Sequence, residues 1–267
     1  MQSHTAKHNV VAIIPARYAS TRFPGKPLIE IKGKTLIQRT YENAKRCKLI
    51  NKLIVATDDQ RIFDHVKNFG GDVVMTPSDL PTGSDRLAYV VQRDKTLEDA
   101  EMIINVQGDE PCLDPQVLNQ LIEILRTDPE AVMSTCAFKL ESEEEAYNPN
   151  SPKCVIDQKG NALYFSRALI PGGRSLKFTS DIPVYKHVGI YAFRPHFLLQ
   201  YGKLPMTPLQ RAEDLEQLKV LEHGYKIKVA IVKSVSADVN TPEDIKKVEL
   251  ELCKQNSSSL QAGSARH

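Results

Sequence analysis

Short apolar runs alternate along this chain with stretches in which apolar positions recur every three or four residues. The first pattern predicts strands at residues 10–14, Lys52–Thr57, Asp72–Met75, 102–107 and 132–140. The second predicts helices at 35–48, from Asp59 to the Gly70-Gly71 pair, at 84–92, and from Asp114-Pro115 onward. Asp59 reads as a helix cap, and Asp114-Pro115 joins an N-cap acid to a proline at the first helical position. The pattern then changes. Residues 154–157 and Ala162–Ser166 flank a Lys159-Gly160-Asn161 turn and predict a hairpin. Tyr185–Phe193 has two-residue periodicity, 212–223 reads as one helix closed by Gly224, and 226–232 as the last strand. Thr241-Pro242-Glu243-Asp244 opens the last helix, as cap, N1 proline and an acid at the capping-box position. After Cys253 the sequence KQNSSSLQAGSARH reads as a disordered polar tail, residues 254–267. Alternation of the two periods predicts a layered α/β fold. Nothing splits the chain, so residues 1–253 are expected to form one domain with a hairpin-containing insert at roughly 145–210.

Composition narrows the function classes. The 267 residues are 41% hydrophobic and 25% charged, which excludes wholesale disorder and a collagen-like fibre. A formal net charge of +2 gives no bulk electrostatic case for nucleic acid as a partner. No apolar run approaches the ~18–20 residues of a membrane span. The run at 10–14 is too short for a signal-peptide core and leads straight into Pro15 and Arg17. Five cysteines (Cys47, Cys112, Cys136, Cys154, Cys253) lack C-x-x-C spacing and read as small core hydrophobes in a reducing cytoplasm.

The loop after the first strand carries the densest chemistry. Pro15-Ala16-Arg17-Tyr18-Ala19-Ser20-Thr21-Arg22-Phe23-Pro24-Gly25-Lys26-Pro27 leaves the carboxyl end of a strand, where open α/β sheets bind ligands. Arg17, Arg22 and Lys26, the hydroxyls of Ser20 and Thr21, and Gly25 supply what a triphosphate requires: guanidinium forks, a point-charge ammonium and an approachable backbone. The same composition also describes a solvated basic loop, and neither a Walker A loop nor a G-x-G-x-x-G fingerprint is present. Further on, Asn105 and Gln107 share a strand face, Gly108 permits a turn, and Asp109 places a carboxylate opposite the cationic loop, a pairing suited to Mg²⁺. An ordinary Gly-Asp turn accounts for the same residues. Thr82-Gly83-Ser84-Asp85-Arg86 reads as a glycine turn at a helix start, with Ser84 a possible cap. His187, Gly189 and Tyr191 fall on one strand face, either a polar binding surface or a half-buried face whose polar tips are satisfied. Glu213, Glu216 and Gln217 share a face of the helix expected at 212–223.

The string PARYASTRFPGKPL resembles the nucleotide-binding loop of the sugar-activating cytidylyltransferases, above all the 3-deoxy-manno-octulosonate (Kdo) cytidylyltransferase, or CMP-Kdo synthetase, family of Gram-negative bacteria. Further matches follow in order: Val55-Ala56-Thr57-Asp58, Thr82-Gly83-Ser84-Asp85-Arg86-Leu87, Asn105-Val106-Gln107-Gly108-Asp109-Glu110-Pro111, Tyr164-Phe165-Ser166-Arg167-Ala168, His187-Val188-Gly189-Ile190-Tyr191, Leu215-Glu216-Gln217-Leu218 and Thr241-Pro242-Glu243-Asp244. The resemblance covers roughly residues 9–253. It implies a three-layer α/β/α nucleotidyltransferase of Rossmann-like type, with a mostly parallel central sheet and a β-hairpin insert that contributes sugar-binding and dimer surfaces. It implies a cytoplasmic homodimer that uses Mg²⁺ to join CTP and Kdo into CMP-Kdo and pyrophosphate for lipopolysaccharide biosynthesis. Arg17, Ser20, Arg22, Lys26, Gly83, Ser84, Arg86 and Gln107 are implied at the nucleotide, with Arg17, Arg22, Lys26 and Asp109 catalytic. Arg167, His187, Tyr191, Glu216 and Gln217 are implied at the sugar, Arg167 on its carboxylate. The family motif usually reads Ser-Gly-Thr-Glu-Arg where this chain has Thr82-Gly83-Ser84-Asp85-Arg86. A larger departure is Asn240, which stands where the family has a second metal-binding Asp. Asp109 is then the main metal anchor, Asn240 a weak ligand, and Asp238, two residues earlier, a substitute. The competing readings are a cytidylyltransferase for another 2-keto-3-deoxy sugar acid, such as sialic acid, and a catalytically silent nucleotide-binding protein on the same fold.

Overall fold

The structure, a computed structural model, describes residues 9–19, 23–97, 99–175, 177–179, 181–233, 238–239 and 241–264, with side chains as far as Lys254. In chain order the elements are β1 (Val10–Ala16), β2 (Glu30–Ile31), β3 (Lys34–Thr35), α1 (Leu36–Ala44), β4 (Lys52–Thr57), α2 (Gln60–Asn68), β5 (Asp72–Met75), α3 (Gly83–Arg93), β6 (Met102–Asn105), α4 (Pro115–Arg126), β7 (Ala131–Lys139), α5 (Glu143–Tyr147), β8 (Lys153–Ile156), β9 (Ala162–Ser166), β10 (Tyr185–Phe193), α6 (Pro195–Tyr201), α7 (Pro208–Glu213), α8 (Leu218–Glu222), β11 (Lys226–Ile231) and α9 (Asp244–Ser264).

β1 sits inside a nine-stranded sheet of order β11-β7-β10-β6-β1-β4-β5, with β8 and β9 branching from β10. Val10 through Ile14 are fully buried, and alternation divides them between two cores: Val10, Ala12 and Ile14 face one, Val11 and Ile13 the other. A strand covered on both faces needs apolar side chains at every position, which is why this run shows no polar alternation. Each large side chain so buried contributes about 1.5–3 kcal/mol. Side chains of α1, α2 and α4 build the first core, and those of α3, α6 and α8 the second. The result is the expected α/β/α arrangement.

The sheet is parallel except around β10, which runs antiparallel to both β6 and β7. Tyr191 pairs with Asn105, the last residue of β6. The first half of β10 therefore projects beyond the carboxyl end of β6. The β8–β9 hairpin forms as expected and joins β10 through Lys153 and Cys154.

Several expectations are corrected. The helix expected at 212–223 is two helices, α7 and α8, broken at Asp214, which takes a left-handed φ of 51°. Tertiary hydrogen bonds capture the carbonyls a continuous helix would use: Arg167 donates from Nε to Glu213 O (2.6 Å) and from Nη2 to Asp214 O (3.1 Å). Asp is among the few residues that tolerate this conformation. Glu213, Glu216 and Gln217 therefore do not share a helix face. The cap of α3 is Thr82 rather than Ser84: Asp85 N donates to Thr82 Oγ1 (3.1 Å), and Thr82 N donates back to Asp85 Oδ2 (3.2 Å). The last helix starts at Asp244, whose carboxylate accepts from Thr241 N, and it continues to Ser264 through most of the stretch read as a tail. Four cysteines are buried, but Cys253 is exposed, with the Lys32 ammonium beside its sulfur at 2.6 Å.

Candidate active site

β6, β1 and β4 are parallel neighbours, so their carboxyl ends deliver the loops that follow them to one edge of the sheet. Two cavities adjoin there. The first, about 650 Å³, is lined by Arg17, Thr82, Gly83, Gln107, Glu216 and Gln217, among others. The second, about 410 Å³, is lined by Glu110, Lys186, His187, Gly189, Gln217 and Asp238, among others. Tyr191, Leu215 and Gln217 belong to both walls. Asp109 lies in sequence between Gln107 of the first wall and Glu110 of the second.

The loop after β1 is tied down at both described ends. Arg17 donates from Nη2 to Pro81 O (2.8 Å), joining this loop to the one that starts α3. Gly25 N donates to Tyr18 O (2.9 Å), and Gly25 adopts a φ of 72°, a conformation glycine takes without penalty. The Tyr18 ring lies under the Arg61 guanidinium, 3.3 Å from ring centroid to Cζ, while Asp59 binds that guanidinium through both oxygens. Lys26 places its ammonium 2.8 Å from Asp109 Oδ2 and 2.8 Å from Val239 O. Asp109 O in turn accepts from Val239 N (3.0 Å), so the stretch beside Asp238 is pinned against Asp109. Ser20, Arg22 and Asn240 lie outside the described residues.

Gly83 lies close against the first strand: a Cβ there would stand 3.3 Å from Pro15 Cγ, a tight contact, and 3.5 Å from Asn105 Nδ2, an ordinary one. Ser84 is buried behind it, facing the Glu216 carboxyl together with Thr82. Arg86, expected at a ligand, is instead 0% exposed. It binds Asp58 Oδ2 (3.2 Å), Pro77 O (3.2 Å) and the Thr76 hydroxyl. Burial pulls its pKa down and Asp58 opposes that. Arg86 supports the turn from beneath, since α3 directs it toward β4 and not toward the cavity.

His187 and Tyr191 are buried in a continuous hydrogen-bond chain. Thr135 Oγ1 lies 2.9 Å from His187 Nε2, 3.0 Å from Val188 O and 2.9 Å from Ile190 O. The carbonyls only accept, so the hydroxyl proton goes to one of them and His187 donates from Nε2. Nδ1 is left to accept from Gln217 Nε2 (3.4 Å), and Gln217 Oε1 accepts from Tyr191 Oη (3.2 Å). Burial lowers the His187 pKa to about 3, so the ring is neutral. Such a ring orients Gln217 and does not serve as a general base at neutral pH. Gln107 completes the wall by donating to Gly189 O (2.7 Å).

Arg167 does not point into either cavity as a free cation. Besides its bonds to the α7–α8 break, it donates from Nη1 to Pro149 O (3.0 Å). Glu213 receives Ser166 Oγ (2.7 Å) and Arg167 N (2.8 Å), locking the hairpin to the break. The break in turn directs Glu216 and Gln217 to the cavities. Two carboxyls there were given no charge-state role by sequence. Glu216 and Glu110 each carry a sealed oxygen, Oε2, without a hydrogen-bond partner. Burial pushes both carboxyls up, Glu110 well above its ordinary range, with Asp109 and Asp238 adding to the effect and Lys186 opposing it. Glu110 and Lys186 were missed as site residues, although Glu110 follows Asp109 directly and Lys186 precedes His187.

Comparison with known proteins bears on this geometry. A 3-deoxy-manno-octulosonate cytidylyltransferase of Protochlamydia amoebophila is 57% identical over 92% of this chain and 95% of its own length. An 8-amino-3,8-dideoxy-manno-octulosonate cytidylyltransferase of Shewanella piezotolerans is 48% identical over 91% and 98%. A solved CMP:2-keto-3-deoxy-manno-octonic acid synthetase in complex with CTP superposes with a TM-score of 0.86, at 38% identity, covering 92% of this chain and 99% of that one. The cytidylyltransferase family profile matches residues 11–227, which run from the first strand of the sheet into the last and include every residue named above in the two cavity walls except Asp238: the chain belongs to the cytidylyltransferase family.

Proposed function

We propose that the protein transfers the cytidylyl group of CTP to Kdo, releasing pyrophosphate. The observation that carries this reading is the pair of cavities sharing the Tyr191–Leu215–Gln217 wall, one for each substrate of a two-substrate transfer. CTP occupies the first cavity, with its base at the Gly83 turn and its triphosphate toward Arg17, Lys26 and, outside the described residues, Ser20 and Arg22. Kdo occupies the second, against His187, Tyr191, Gln217 and the neighbouring Glu216. Its anomeric 2-hydroxyl attacks the α-phosphorus in line and pyrophosphate leaves. The protein's part in such a transfer is positioning and offsetting charge. Arg86 acts through the turn above it, and Arg167 through the α7–α8 break. A homodimer with the β8–β9 hairpin and its 61% exposed Leu163 near the interface, in the cytoplasm, belongs to the same proposal. Among the described residues no helix is long and apolar enough to cross a membrane.

Mg²⁺ is part of this reading, and the residues fit it. An ammonium already sits on Asp109 Oδ2 and the Val239 carbonyl, oxygen donors of the kind a hard divalent cation takes. Among the described residues no three His, Cys, Asp or Glu side chains converge as a cage, so an ion here draws its remaining oxygens from triphosphate and water. Bound Mg²⁺ neutralises phosphate charge and lowers the pKa of a coordinated hydroxyl. Asp109 would be the main anchor, with Asn240 a weak ligand and Asp238 its substitute. Replacing Asn240 by Asp is expected to lower the Mg²⁺ concentration giving half-maximal rate, and Asp238→Ala to raise it. An unchanged Mg²⁺ requirement in both variants removes this stretch from the metal site.

A pyrophosphate-release assay tests the whole reading. Release from CTP is expected only when Kdo and Mg²⁺ are both present. Equal turnover with N-acetylneuraminate overturns the sugar assignment, and no turnover with any 2-keto-3-deoxy acid favours a silent nucleotide-binding protein. The relatives divide between Kdo and its 8-amino analogue at similar identity, so the 8-amino sugar is a second reading and belongs in the same assay.

A further inference from the structure

Glu110 is the one acid in the wall of the second cavity that is nearly sealed from solvent, at 6% exposure. Its backbone is fixed by a bond from its own N to Gln107 O (3.4 Å) and one from Leu113 N to its carbonyl (3.4 Å). Its carboxyl is not fixed in the same way, because Oε2 has no hydrogen-bond partner. A buried polar atom left unmatched destabilises the protein and calls for an explanation. Phe138 and Val188 line the same wall, and although the Cys136 thiol and the Lys186 ammonium are close enough to act on its charge, neither they nor any other group bonds Oε2. A polyhydroxylated ligand entering the cavity brings donors with it. A carboxyl oxygen accepts from a hydroxyl whether or not the group carries a proton.

We propose that Glu110 is a specificity-determining residue for the sugar, its unpaired oxygen turning to the cavity to accept one hydroxyl of the sugar acid after a small rearrangement of the wall. This inference rests on the Kdo reading above. It differs from a packing role in what it selects. A site whose buried acceptor matches a substrate hydroxyl rejects the analogue that lacks it, because the acceptor is then left unpaired.

The test uses Kdo analogues that each lack one hydroxyl, with the wild-type protein, Glu110→Gln and Glu110→Ala. One analogue is expected to lose roughly 10–100-fold in kcat/KM with the wild-type protein, about the cost of leaving one buried acceptor unpaired. Glu110→Ala should lose a similar factor with Kdo itself, through KM for Kdo and not KM for CTP. It should also treat that analogue and Kdo alike to within about threefold. Glu110→Gln, which keeps an acceptor oxygen and nearly the same shape, should recover most of the loss, and it carries the test if the alanine variant does not fold. The proposal is overturned if no analogue is penalised by the wild-type protein, if the penalty persists in Glu110→Ala, or if the defect lies in KM for CTP or in the Mg²⁺ requirement. Wild-type protein that turns over no Kdo at all overturns the underlying reading, and this proposal with it.

Discussion

Lys26→Ala lowers kcat by about 10²–10³-fold, the loss expected when one donor is removed from developing oxyanion charge, or ~2.7–4 kcal/mol. The unfolding temperature moves little in the same variant. In the free protein the Lys26–Asp109 pair is partly open to water, at 17% and 26% side-chain exposure, and pairs of that kind stabilise by at most about 1 kcal/mol. The contribution of Lys26 therefore lies in the reaction and not in the fold. Lys26→Arg is not expected to restore the rate. The ammonium bonds Asp109 Oδ2 and Val239 O from a single point, and a planar fork does not reproduce that geometry. Steady-state kinetics beside a thermal melt check the result. A fall in kcat below about threefold makes Lys26 an ordinary cation of a solvated loop.

Arg86→Met is the substitution with the largest expected effect on stability. Arg86 is completely buried, its partner Asp58 is 10% exposed, and the same guanidinium binds Thr76 and Pro77. Removing one member of such a pair strands the other and destabilises by about 3–5 kcal/mol. For a chain of this size, that lowers the unfolding temperature by roughly 6–20 °C. The double variant Arg86→Met, Asp58→Leu should recover part of the loss, because no uncompensated charge remains. Calorimetry of the three proteins is the check, and a shift under about 2 °C for Arg86→Met removes the pair from the account of stability.

The sequence shows most clearly what is decided locally. β4 and β5 have the bounds that their apolar runs predict, and Asp59 and Asp114 cap their helices through their own side chains. Turn chemistry is equally local, so the hairpin at Lys159-Gly160-Asn161 could be read directly, with Gly160 at φ 77°. What escaped depends on partners far along the chain. The break at Asp214 is made by Arg167, and 212–223 keeps helical periodicity in spite of it. The neutrality of His187 comes from its burial, and its orientation from Thr135 in another strand, which no spacing rule connects to it. Arg86 belongs to a site motif, but a motif does not say which face of α3 is turned to the core. Arg17 and Gln107 meet at one cavity because β1 and β6 are parallel neighbours, and Arg17 draws in the Gly83 turn through Pro81 O, facts of topology that the string only implies through family likeness.

The position of β10 also bears on how the protein is made. β6 and β7 follow one another in sequence but do not pair, and the space between them is filled by β10. On the ribosome, β6-β1-β4-β5 can assemble from the early part of the chain, but one edge of β6 stays bare until residues 185–193 emerge. Bare strand edges recruit other chains, so nascent protein that stalls before this point is the species most exposed to aggregation and most dependent on holding by chaperones. Insertion of β10 closes that edge and in the same event delivers His187, Gly189 and Tyr191 to the cavity wall. No half-made sheet therefore has a finished binding site, and recovery of ligand binding during refolding should follow completion of the sheet without a lag.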